Sequence, residues 1–125
     1  MRFIEPYEAF YDARGEIRDL LRDVRIDSVT LIRTRQGAVR GNHYHRETEQ
    51  YTYVLEGKLR WVTQMLGGER QEQIAKPGDL ILSPPNECHA MVAEEDAVFL
   101  VFTRGPRAGL NYESDTFRLE EPLIP

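Results

Sequence analysis

Gly37-Ala-Val-Arg-Gly-Asn-His-Tyr-His-Arg-Glu-Thr-Glu-Gln-Tyr-Thr-Tyr-Val-Leu-Glu-Gly57 is the stretch on which the fold of this chain turns. Alternate side chains of an extended strand share a face, so His43 and His45 present two imidazoles to one point. Gln50 to Glu56 alternates in the same way, with β-branched and aromatic residues, until Gly57 ends the run. On that period Gln50, Thr52 and Val54 share one face, and Tyr51, Tyr53 and Leu55 share the other.

The same period continues on both sides. Asp27 to Arg35 is a β-branched run, and Lys58 to Met65 puts Leu59, Trp61, Thr63 and Met65 on one face. Leu66-Gly67-Gly68-Glu69 supplies a hairpin turn toward a partner strand at Gln71 to Ala75. Lys76-Pro77-Gly78-Asp79 is a turn, Leu80 to Ser83 a short strand, Pro84-Pro85-Asn86 a turn, and Ala97 to Thr103 a last apolar strand. So many short strands, evenly spaced, predict an all-β antiparallel sandwich or barrel. The helical candidates are two short N-terminal segments, 6–11 and 16–22. The expected organisation is an N-terminal arm over 1–25, a barrel over 26–104, and a tail over 105–125 that packs on the barrel or on a partner subunit.

A chain of 125 residues is enough for one domain with a real core. Its 16 basic and 21 acidic residues give a net charge of −5, which argues against duplex nucleic acid as a partner, because that binding needs clustered Lys and Arg. No apolar run reaches the roughly 18–20 residues of a membrane span, and the first residues lack a signal pattern. The expectation is a cytoplasmic protein with neither nucleic acid nor membrane as partner. The single Cys88 forms no intrachain disulfide and reads as a small buried filler.

All three histidines lie in two segments, the second being Gly78-Asp-Leu-Ile-Leu-Ser-Pro-Pro-Asn-Glu-Cys-His89. The two segments resemble the paired cupin motifs G-x5-HxH-x3-4-E-x6-G and G-x5-PxG-x2-H-x3-N. The departures are Gln50 where the count to Gly57 wants Glu, Asn86 where the second motif has Gly, and Ala93 where it has Asn. The resemblance implies an antiparallel jelly-roll barrel in which His43, His45, His89 and a fourth side chain ligate one divalent metal: iron, manganese, nickel or zinc. Gln50 is the favoured fourth ligand because it shares the face of Thr52 and Val54; Glu49 is the alternative, satisfying the shorter count. Some cupins carry this set of three His and one Gln, and several branches keep a metal-free pocket instead.

A narrower resemblance rests on Asp12-Ala-Arg14-Gly15, on Arg40-Gly41-Asn42-His43-Tyr44-His45 and on Thr48-Glu49-Gln50. These are similar to the D-x-RG, RGxHxH and EQ patterns of sugar-nucleotide cupins: dTDP-4-keto-6-deoxyglucose 3,4-ketoisomerases, dTDP-4-dehydrorhamnose 3,5-epimerases and the cupin domain of capsule-precursor reductases. That likeness implies a metal-free reaction in which His43 or His45 is the catalytic acid/base beside the ketone and Arg40 binds the diphosphate of the substrate. Three functions stay open: an isomerase or epimerase of a sugar or keto-sugar working through an enediolate, a metal-dependent dioxygenase, and a non-catalytic carbohydrate-binding module. The apolar outer face of the Tyr51-Tyr53-Leu55 strand is expected to join a homodimer.

Overall fold

The alternation read over 50–56 becomes the central strand of a sheet in the computed structural model, which describes residues 1–106 and 113–125. The strands are β1 (Arg2–Phe3), β2 (Phe10–Asp12), β3 (Gly15–Ile17), β4 (Ser28–Thr34), β5 (Val39–Tyr44) and β6 (Glu49–Glu56). They continue as β7 (Leu59–Met65), β8 (Arg70–Ala75), β9 (Leu80–Ser83), β10 (Glu87–Ala93), β11 (Ala97–Arg104) and β12 (Phe117–Arg118). One five-stranded sheet runs β1-β9-β6-β11-β4 and a second β12-β5-β10-β7-β8, with β2-β3 as a separate hairpin; every pairing is antiparallel. This nearly all-β arrangement is consistent with a jelly roll.

The core lies between the two sheets because each strand turns its apolar period inward. Val54, Ile81, Phe99 and Val101 from the first sheet meet Leu59, Trp61, Ala75, Met91 and Ala93 from the second. Gly57 closes the β6–β7 turn at φ +85°, and a Cβ there would sit 2.2 Å from the Asp96 carbonyl oxygen. Only glycine gives both the backbone angle and the close approach.

The expected helical turns at 6–11 and 16–22 are corrected: the first ends in β2, and the second begins in β3. Asp12-Ala-Arg-Gly15 is the hairpin turn between them, closed by the Arg14 N–H donating to Asp12 Oδ1 at 2.8 Å and by Gly15 at φ +131°. An Asx turn followed by a glycine at positive φ reverses the chain before a helix can propagate. Among the described residues no helix is long and apolar enough to cross a membrane.

The outer faces of the two sheets differ. On the second sheet Val62 and Ala90 are buried under Ile124, with Leu123 and Val92 packed alongside. Asn42 fastens that cover: its Oδ1 accepts from the Leu123 and Ile124 N–H groups at 2.8 and 3.2 Å, and its Nδ2 donates to the Ile124 carbonyl at 2.9 Å. Residues 107–112 of the expected tail lie outside the described residues. On the first sheet Val29, Leu31 and Leu55 remain 58%, 50% and 43% exposed, in a row with Leu100 and Phe102 of β11.

Candidate functional site

His43 lies near the end of β5 and His45 just beyond it, and a bulge aims them. Gly41 and Asn42 both take positive φ, and the β5–β10 register shifts between His89 and Ala90, opposite Gly41. The extra residue twists β5 locally and sets His43 directly across the ladder from His89. A Cβ on Gly41 would lie 2.8 Å from the His89 carbonyl oxygen, so the glycine lets the two histidine strands approach. On the other segment, Asn86 occupies the Gly position of the second motif at φ +67°, which Asn tolerates better than most side chains, and its N–H donates to the His45 carbonyl at 2.6 Å.

The three imidazoles converge. Ring centroids are 4.9 Å apart for His43 and His45, 4.7 Å for His43 and His89, and 5.5 Å for His45 and His89, all three being buried. One ring nitrogen from each lies within 4.8 Å of the others. The His45 Nδ1 is 2.8 Å from the Asp115 carbonyl oxygen. A carbonyl only accepts, so Nδ1 carries the proton and Nε2 the lone pair. Burial, and then the neighbouring His43 and His45, hold His89 well below the ordinary imidazole pKa, so it is neutral at physiological pH.

These rings line a cavity of about 250 Å³, together with Gln50 and Thr52 from β6 and apolar side chains of Ile32, Trp61, Met91, Phe99 and Val101. Glu49 is not among the lining residues; it lies on the opposite face of β6, accepting from the Tyr51 hydroxyl at 2.9 Å. Arg40 also lines the cavity, with its Nε donating to Thr34 Oγ1 at 2.7 Å and Nη2 to the Arg33 carbonyl at 3.2 Å. Three imidazole nitrogens and the Gln50 amide oxygen are a donor set that fits a divalent metal of the iron-to-zinc series. A buried His89 Nδ1 without a hydrogen-bond partner among the described residues is in keeping with that fit.

Two parts of the site are invisible in the histidine motifs. Asp115 is 5% exposed and accepts from the backbone N–H groups of Arg46, Glu47 and Thr48 at 3.0, 2.9 and 2.8 Å, while its carbonyl orients His45. Burial by itself would raise the Asp115 pKa; the Glu47, Arg46 and Thr48 N–H groups outweigh it and hold the carboxyl below its usual value. Arg118 on β12, the register partner of His43, also lines the cavity. Phe117 holds β12 in place, stacked on Tyr44 at 5.3 Å, with the Arg46 guanidinium over the Phe117 ring, 4.2 Å from its centroid.

Two antiparallel sheets, the second carrying a buried histidine triad with His43 and His45 at the end of β5 and His89 on the adjacent β10, define a β-sandwich protein with a polar internal site. The chain belongs to the cupin family: the cupin domain matches residues 30–103, more than half its length. No curated protein matches the sequence significantly. Among solved structures it is similar to the sugar 3,4-ketoisomerase QdtA of Thermoanaerobacterium thermosaccharolyticum in complex with TDP, at 18% identity and TM-score 0.75 over 92% of this chain and 85% of that one. It is also similar to WlaRA, a TDP-fucose-3,4-ketoisomerase of Campylobacter jejuni, at 16% identity and TM-score 0.77 over 94% and 89%. A third is the dTDP-4-dehydrorhamnose 3,5-epimerase of Sulfolobus tokodaii, at 18% identity and TM-score 0.71 over 93% and 81%. At these identities the likeness is one of fold.

Proposed function

We propose that the protein is an isomerase or epimerase of a keto-sugar, nucleotide-linked in the manner of its structural relatives' ligands, that moves a proton at the carbon beside the ketone. The observation that carries this reading is the imidazole triad in a cavity that, among the described residues, is lined by no other base. The remaining lining groups are an amide, a hydroxyl, two guanidinium groups and apolar side chains. His45, with its proton fixed on Nδ1, presents Nε2 as the acceptor for the C–H proton, leaving an enediolate; for isomerisation the adjoining hydroxyl proton passes to the former carbonyl oxygen and His43 gives a proton to the former carbonyl carbon, whereas for epimerisation His43 returns the proton to the opposite face of the original carbon. The net change shifts the ketone by one carbon, or inverts a centre, with no redox partner. A structure of QdtA with TDP-4-keto-6-deoxyglucose, in a histidine-to-asparagine variant, supports the substrate class.

A second reading is favoured by the convergence of ring nitrogens. His43, His45, His89 and Gln50 would hold one divalent iron, manganese, nickel or zinc ion, which when bound supplies Lewis-acid polarisation of a ligand oxygen, as in a metal-dependent dioxygenase. With all three imidazoles engaged as ligands, no other base remains among the described lining residues, so this reading competes with the first. It predicts that Gln50→Ala weakens zinc, used as the probe, by at least about 10–100-fold, while Glu49→Ala does not. Equal loss in both variants, read by equilibrium dialysis and elemental analysis, counts against it.

The deciding experiment is incubation with TDP-4-keto-6-deoxyglucose in deuterated water without oxygen, followed by NMR. Deuterium at the carbon beside the ketone is the expected result; no exchange anaerobically, with substrate-dependent oxygen uptake in air, transfers the function to the dioxygenase. Binding with neither would leave a carbohydrate-binding module. The bare outer face of β4, β11 and β6 supports a homodimer, since Val29, Leu31 and Leu55 have no cover among the described residues comparable to the tail over Val62. Light scattering is expected to give twice the chain mass, and a monomer at high concentration sinks that part.

A further inference from the structure

We infer that Asn42 is a positioning residue for His43: clamped by residues 119–124, it holds the bulge in β5 that turns His43 into the cavity. Docking of that segment is then part of the reaction machinery as well as cover for the second sheet. The inference rests on the proposed proton transfer, in which His45 removes a proton and His43 delivers one. Asn42 itself does not line the cavity, so it acts through its neighbour.

Hydrogen bonding is the first support. Among the described residues, the hydrogen bonds of 119–125 all end on Asn42. Its carbonyl oxygen accepts from the Leu119 N–H at 2.9 Å, which carries the β12–β5 pairing one residue past Arg118. Its side chain meets the segment again at Leu123 and Ile124, where Oδ1 accepts from both N–H groups and Nδ2 donates to the Ile124 carbonyl. Two donors and an acceptor presented together match a primary amide and fix which way it points. Ile124, buried over Val62 and Ala90, seats the far end.

Backbone geometry is the second support. Asn42 has φ +58°, directly after Gly41 at φ +90° and directly before His43. These two residues form the bulge, opposite which the register with β10 shifts and leaves His43 across from His89. A side chain other than glycine enters the left-handed region at a cost, and Asn enters it more readily than most. That tolerance makes the turn possible; the clamp on 123–124 holds it. His45 has a separate anchor, because its Nδ1 donates to the Asp115 carbonyl. Disturbing Asn42 therefore disturbs one half of the reaction. A proton taken by His45 Nε2 and given back by the same nitrogen regenerates substrate, which carries deuterium when the medium is deuterated. Product forms only when His43 delivers the proton, so a misaimed His43 slows conversion and leaves exchange into recovered substrate running.

The test compares wild type with Asn42→Gly, Asn42→Asp and Ile124→Ala by NMR, with TDP-4-keto-6-deoxyglucose in deuterated water at a temperature where each protein is folded. Asn42→Gly keeps the backbone angle and removes the clamp. It is expected to lower conversion about tenfold, less than the ~100-fold that a misplacement of ~1 Å costs, while deuterium entry into recovered substrate changes less than about twofold. Ile124→Ala unseats the clamped segment without touching Asn42 and is expected to give the same split in smaller measure. Asn42→Asp keeps an acceptor for the Leu123 and Ile124 N–H groups and is expected to recover part of the conversion lost in Asn42→Gly. Equal loss of conversion and exchange in Asn42→Gly overturns the inference, because general loosening lowers both; so does wild-type conversion. A second readout needs no turnover. In the ligand-free protein the His43 ring signals are expected to shift in Asn42→Gly while those of His45 stay, with the Leu123 and Ile124 amides exchanging at least about tenfold faster. His43 signals that stay in place while those amides exchange faster also overturn it. Failure of the isomerase reading shows instead as wild-type protein that neither exchanges nor converts, and the ring signals then decide the role of Asn42 by themselves.

Discussion

His45→Ala is expected to lower turnover of the keto-sugar by about 1,000-fold, the middle of the range for removing a general base, with substrate affinity nearly unchanged. The asymmetry follows from the proposed reaction, in which the imidazole acts on the reacting carbon while the other lining residues, Arg40, Arg118 and the apolar walls, would hold the rest of the ligand. His43→Ala should fall by a smaller factor, because the tautomer of His45 is fixed by Asp115 and does not depend on His43. His89 is buried and neutral, so His89→Asn tests the rival reading. If proton transfer needs only the HxH pair, deuterium exchange survives that change; if a three-histidine metal centre is the working unit, bound metal and substrate-dependent oxygen uptake vanish together. A His45→Ala variant that keeps wild-type exchange rates removes the histidine from the mechanism.

The sequence is legible here wherever a side chain's neighbours are set by strand period. Leu59, Trp61 and Thr63 face inward together, as alternation over 58–65 demands, and so do Gln50, Thr52 and Val54. Alternation fails at Val62, an outward position that is nevertheless buried, because the cover is Ile124, 62 residues away in sequence and joined by no local pattern. The hairpin of β2 and β3 was hidden for the opposite reason. Its residues are exposed on both faces, so there is no burial period to read, and only the Asp12–Gly15 turn chemistry carries the signal.

The site divides along the same line. His43, His45, Gln50 and His89 sit at fixed spacings on β5, β6 and β10, and motif spacing brings them together on paper as the fold does in space. Asp115 and Arg118 come from a short segment near the end of the chain, and nothing in their own neighbourhood marks them. What betrays them is a vacancy in the motif half: the loop 46–48 exposes three successive backbone N–H groups directly after a buried histidine, and such a nest requires an acceptor. A search for an acid that is not part of any strand pattern would have raised Asp115 as one of several candidates.

That nest makes Asp115→Ala the largest expected change in stability. Each N–H bonded to a carboxylate contributes about 1.5–3 kcal/mol, but the three share one acceptor and water can reach part of the loop, so a total loss near 3 kcal/mol is expected rather than the sum. For a chain of this size that corresponds to a melting temperature lower by about 10 °C. Asp115→Asn should recover less than half, since one carboxylate oxygen becomes an amide that faces the N–H donors with donors of its own. The effect on the reaction separates positioning from mere folding: at a temperature where both proteins are folded, kcat is expected to fall while KM holds, because without the carboxylate the segment carrying the residue-115 backbone carbonyl is no longer tied to residues 46–48 and that carbonyl holds the His45 ring less firmly. The acid dependence follows from the lowered pKa. A carboxyl whose folded pKa lies below its unfolded value of 3.8 contributes fully above about pH 4 and loses its contribution as pH falls through the folded value. The stability gap between wild type and Asp115→Ala is therefore expected to be constant from about pH 5 to 8 and to narrow below about pH 4. A gap that widens on acidification, or equal melting temperatures at neutral pH, would show that the carboxylate does not hold the loop that carries His45.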